Sequence, residues 1–175
     1  MAYYYLISSL PMLKPEGSMP FSYDEFLGLC RSSLSDSKFD VLKNLSLDSK
    51  GGTLVAEWNE FYCVFNEELS FQRNSLLGRK AQLPSIKDEN ISKIVSAAIN
   101  SDNPLEAEEM LLSFQFQRLD ELVGLHYFDE SALLGYALKL KLLERKNSFD
   151  FEKGKAQLNN IIENLEQQII AMEQE

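Results

Sequence analysis

Apolar side chains recur three and four positions apart along almost the whole chain. Strand-type alternation is nearly absent, so the pattern predicts an all-α protein. Tyr3, Leu6, Ile7 and Leu10 share one side of a short first helix, and Pro11, Pro15, Gly17 and Pro20 then read as a loop. Ser22 and Glu25 have the spacing of a capping box ahead of Phe26, Leu27, Cys30 and Leu34. Asp36 is placed to cap a third helix through Phe39, Leu42 and Leu45.

The glycines of "KGG" break the chain at 50–52, and Thr53 opens the longest early helix. At about 100° per residue, Leu54, Val55, Trp58, Phe61, Tyr62, Phe65, Leu69 and Leu76 fall in one arc. Residues 80–88 read as a connector. Asp88 begins a helix with Ile91, Ile94, Val95, Ala98 and Ile99 on its apolar side. Asn103, Pro104 and Glu106 are the cap, first-turn proline and third-position acid of the next helix. There Leu105, Leu112, Phe116, Leu119 and Val123 share a face, opposite Glu106, Glu109 and Asp120, and Gly124 suits the stop. Asp129 caps a helix containing "LLGYALKLKLLERK", residues 133–146. Asp150 caps a last one, whose Phe151, Leu158, Ile161, Ile162, Leu165, Ile169 and Met172 form the narrow seam of an edge or coiled-coil helix. The expectation is two small packed bundles with about eight helices between them, divided as 1–80 and 81–175, or one continuous domain.

The stretch 133–146 departs from this simple amphipathic pattern. On a helix, Gly135, Lys139 and Lys146 gather on one narrow side, while Leu133, Tyr136, Ala137, Leu140 and Leu143 cover much of the rest. A helix apolar around most of its girth is surrounded by neighbours. Lys139, Lys141, Arg145 and Lys146 nevertheless face only Glu144, in a chain of net charge −10. Two readings stay open: cations in a last turn complement the helix dipole, or they form a docking surface for an acidic partner.

Composition narrows function more than fold. The 175 residues are 45% hydrophobic, with eleven Phe and seven Tyr to fill a core. The acidic balance excludes a general nucleic-acid binder, which needs a basic footprint. Cys30 and Cys63 are too few for a disulfide framework or a four-ligand zinc site and read as reduced structural thiols. His126 is the only histidine, at a helix end where capping or packing accounts for it. The acid pairs Glu108–Glu109 and Asp120–Glu121 fit a solvated helix face, and "SKGGT" at 49–53 lacks the spacing of a phosphate-binding loop. No catalytic residue, cofactor or metal ligand is expected. The N-terminus lacks the basic start of a signal peptide, and no run approaches the length of a membrane span, so the expectation is a soluble cytoplasmic protein.

Three stretches carry a family resemblance. "FDESALLGYALKLKLLERKNSFDFEKGKAQLNNII" at 128–162 resembles the C-terminal helices of the connector subunits, known as the C or d subunits, of V-type and A-type rotary ATPases. "NEELSFQRNSLLGRK" at 66–80 is similar to a segment of that family in which Asn, Leu and Arg-Lys recur, and "AYYYLISSLPML" resembles its tyrosine-bearing first helix. The opening is closer still to a shorter bacterial family of uncharacterised proteins encoded beside V-type ATPase subunits. The resemblance implies a shortened, all-helical relative in which one of the family's three bundles is missing or the helices are reduced. It also implies a non-catalytic part that connects the central stalk to the membrane rotor ring and transmits torque for ion transport, held at the inner membrane through the complex. On that implication Lys139, Lys141, Arg145 and Lys146 line a surface for an acidic partner, with Arg73, Arg79 and Lys80 as N-terminal counterparts. Tyr3, Tyr4 and Tyr5 would contact the rotor ring, with ordinary core packing as the alternative reading of the three. Changing the four cations of 139–146 to Glu would then spare helix content and cost assembly. The alternative expectation is a free-standing adaptor that binds a partner helix through its C-terminal seam.

Overall fold

The computed structural model describes residues 2–148, 155, 157 and 159–162. Seven helices have defined bounds: α1 Ala2–Ser9, α2 Tyr23–Arg31, α3 Asp36–Lys43, α4 Thr53–Leu76, α5 Glu89–Ile99, α6 Pro104–Val123 and α7 Glu130–Asn147. Residues 155, 157 and 159–162 are helical too, and no strand occurs among the described residues. The protein is all-α, as the periodicity predicts.

Local chemistry explains most of the boundaries. Ser22 and Glu25 close the full capping box on α2. The Asp88 carboxylate accepts from the amides of Asn90 and Ile91 at 2.8 and 3.1 Å. Asn103 accepts from the Leu105 amide at 3.1 Å, with Pro104 as the first residue of α6. Asp129 accepts from Ser131 and Ala132 ahead of α7. The cap of α3 is Ser35, one residue before the expected Asp36, which lies in the first turn. At the end of α4, Gly78 takes φ 64 and the Arg79 amide reaches back to the Asn74 carbonyl, a Schellman closure that only a residue tolerant of positive φ makes cheaply. Gly124, at φ 55, ends α6 as expected.

The chain divides into two compact units, Met1–Glu144 and Arg145–Glu175. In the first, α4, α5 and α6 pack against one another, and α2 packs on α3. Trp58, Phe61, Tyr62 and Phe65 of α4 form an aromatic run that meets Phe114 of α6, with ring centroids 5.8 Å apart at Phe61. Helix α7 joins this group to α1–α3. Leu133, Leu134, Gly135, Ala137, Leu138, Leu140, Leu142 and Leu143 are all buried. Gly135 abuts Val123 of α6, and a methyl there would collide with the Val123 Cγ2. On another side the Tyr136 ring lies 5.6 Å from Phe26 of α2, and its hydroxyl donates to the Pro11 carbonyl at 3.0 Å. Residues on both sides of position 80 therefore share one core, and the 1–80/81–175 division runs through it. In the second unit, Ser148 Oγ donates to the Arg145 carbonyl, and Ile161 and Ile162 are exposed. Asp150, Phe151, Leu158, Leu165, Ile169 and Met172 of the expected C-terminal seam lie outside the described residues.

Candidate functional site

The basic residues of α7 do not form one face. Lys139 leans onto α6: its ammonium pairs with Asp120 at 2.5 Å and sits 5.4 Å from the centre of the Phe116 ring, leaving the side chain 15% exposed. Lys141 turns towards α2 instead. Its Nζ lies 3.7 Å from the Tyr23 ring centre and 3.5 Å from Glu144, and the side chain is 25% exposed. Both lysines bury an aliphatic stem among apolar neighbours and find a ring and a carboxylate within the same unit. Arg145 and Lys146 occupy the last turn of α7, where cations complement the helix dipole. Tyr23 is itself buried and donates to the Leu42 carbonyl at 2.7 Å. Burial first, then the nearby Cys30 and Glu144, push its hydroxyl far above the ordinary tyrosine range.

The N-terminal counterparts separate as well. Arg73 reaches from α4 to Glu108 of α6 at 3.4 Å. Arg79 and Lys80 are exposed in the connector after α4. That connector is pinned to α4 by Glu67, whose carboxylate accepts from the Ser85 hydroxyl and amide at 2.6 and 2.7 Å, and these bonds hold it below the usual carboxylate range.

The three tyrosines of α1 split between packing and display. Tyr3 is half-buried and accepts from Lys38 of α3 at 2.7 Å. Lys38 also reaches Glu130, the first residue of α7, at 2.9 Å; the bonds to Tyr3 and then Glu130 hold its ammonium above the ordinary lysine range. Tyr4 and Tyr5 are 52% and 73% exposed. Tyr4 lies 4.7 Å from Phe128 in the α6–α7 loop and edge-on to Tyr5 at 5.6 Å. Leu125, Tyr127 and Phe128 of that loop are exposed too. The sequence pattern offered the tyrosines but no sign of Phe128, which comes from more than a hundred positions away. His126, in the same loop, pairs with the capping Asp129.

Among the described residues no three His, Cys, Asp or Glu side chains are grouped to hold a metal ion, and no helix is long and apolar enough to cross a membrane. Cys30 is fully buried, and burial pushes its thiol up to about 11. Two further features were invisible in the sequence: the Lys38 bridge, and the amide of Gln115, which is buried in α6 with neither polar atom hydrogen-bonded among the described residues.

The described fold defines the class, an all-α protein whose conspicuous surface feature is a group of displayed aromatic rings. Residues 83–169 match the model of a family described as a protein of unknown function (DUF2764). That match runs from the connector before α5 through α6 and α7. No curated protein and no solved structure matches the chain.

Proposed function

We propose that the chain is a non-catalytic coupling component of a bacterial V-type ATPase, connecting the central stalk to the membrane rotor ring and transmitting torque for ion transport. The observation that carries this reading is the display of Tyr4 and Tyr5 beside Phe128 on the very segment, "AYYYLISSLP", that bears the family resemblance. Rings with an apolar body and a polar tip suit a surface that is apolar on one side and wet on the other, such as the cytoplasmic end of a membrane ring. A torque-bearing part needs stiffness, and α7, buried on nearly every side and tied to α1–α3 and to α6, supplies a rigid spine.

The basic residues take a smaller part than the resemblance implies. Lys139 and Lys141 are engaged within their own unit, which leaves Arg73, Arg79 and Lys80 as the exposed cations of that set, with Arg73 paired to Glu108. Replacing all four cations of 139–146 by Glu would place acids beside Asp120 and Glu144, so loss of assembly in that variant would report a damaged fold.

A tagged copy purified from detergent-solubilised membranes tests the proposal. Recovery of central-stalk and ring proteins by mass spectrometry is expected; a preparation carrying none of them overturns it.

A further inference from the structure

Between α4, α5 and α6 runs an open groove of about 730 Å³, continued along α6 by a second hollow of about 490 Å³ that shares Ile94, Phe114 and Gln117 with it. Val64, Ile86, Ile94 and Phe114 line it, none fully buried, and Ile86 is largely exposed. Carboxylates come from the helices on either side of α5: Glu57 and Glu60 from α4, and Glu121 from α6. The continuation adds Glu16, Glu106 and Glu109. Against these stand Lys93 and Arg118, and both are already paired, Lys93 with Glu89 and Arg118 with Glu121. Glu57 and Glu60, one helical turn apart, make no ion pair with any described residue.

An apolar track bordered by Glu57 and Glu60, neither of them ion-paired to a described residue, selects its occupant by charge. Phosphates and anionic lipid headgroups are repelled. A second copy of this chain carries the same net charge of −10. The chain's own residues 149–175 hold six acids against two lysines, a charge that does not complement the groove. We propose that this groove docks a basic amphipathic helix of another protein, its apolar stripe against Ile94 and Phe114 and its Lys or Arg flanks towards Glu57 and Glu60. This docking is independent of assembly into the ATPase, because it uses a different surface and is read by a different measurement.

The probe is a fluorescein-labelled Leu/Lys peptide of about 18 residues with leucines at helical spacing, titrated with the full chain by fluorescence anisotropy. A peptide of equal composition with the leucines scattered around the helix is expected to bind about tenfold more weakly. Glu57→Lys/Glu60→Lys should weaken the amphipathic peptide about tenfold, while Asp40→Lys/Asp48→Lys, the same charge change on positions outside the groove, should change it less than about twofold. Ile86→Ser, at an exposed position, should weaken it without touching any charge. The proposal is overturned if the two peptides bind alike, if the two charge-reversed variants lose affinity equally, if Ile86→Ser has no effect, or if the amphipathic peptide fails to bind at about 100 μM.

Discussion

Two buried positions have consequences opposite to the usual rules. A helix-interior Gly→Ala exchange ordinarily stabilises by up to about 1 kcal/mol. At Gly135 the new methyl would run into Val123, and neither α6 nor α7 can retreat easily when both carry buried faces. Gly135→Ala is therefore expected to destabilise by about 1–3 kcal/mol, read as a lower urea midpoint at unchanged slope. Gln115 offers the reverse case. Its amide is buried without a hydrogen bond among the described residues, and such a group costs about 1–3 kcal/mol. Gln115→Met keeps the length of the side chain and removes the polar atoms, so the urea midpoint should rise; a fall would mean that the amide is satisfied in solution. Helical periodicity placed neither residue's environment, because Gly135 and Gln115 are defined by what neighbouring helices press against them.

Helices were legible in this sequence where their determinants are local. The caps at Ser22, Asp88, Asn103 and Asp129 need only a side chain and the next three amides, and each is found where the pattern puts it. Faces were legible less evenly. Leu105 and Leu76 continue an apolar arc yet are exposed, since the spacing gives a side chain's direction but not how far a neighbouring helix extends to meet it. The two lysines inside α7 were the least legible feature: Asp120 lies nineteen positions away and Tyr23 much further, and only the packed helices bring them together. Asp129 is a cap whose charge can be tested. Partial burial pushes its carboxyl upward, but the Ala132 amide, His126 and the Ser131 amide outweigh that and hold it below the ordinary range. A lowered native value means that the stabilisation is complete above the unfolded pKa and fades as pH falls through the folded one. Asp129→Ala should cost about 1 kcal/mol at neutral pH. The stability advantage of the wild type over Asp129→Asn should shrink below about pH 4, measured as the difference between their urea midpoints; an advantage independent of pH would mean that the carboxylate charge contributes nothing.

Across the whole first unit, α7 determines how the parts are arranged. It carries Tyr136 and Lys141 towards α2, Glu130 towards Lys38 of α3, and Gly135 and Lys139 towards α6. That embedding explains why an acidic chain keeps lysines in its most deeply buried helix: Lys139 meets a ring and a carboxylate of α6, and Lys141 meets the Tyr23 ring of α2 beside Glu144 of its own helix. It also moves the expected contact surface away from α7, to the tyrosines of α1 and the loop before α7, where large rings stand in solvent next to one another. The most direct measurement places a photo-crosslinking benzoylphenylalanine at position 5, an exposed site whose substitution leaves the core untouched. After irradiation of membranes containing the V-type ATPase, an adduct between this chain and a rotor-ring protein is expected; adducts to proteins outside the ATPase alone, or none, would contradict the coupling role.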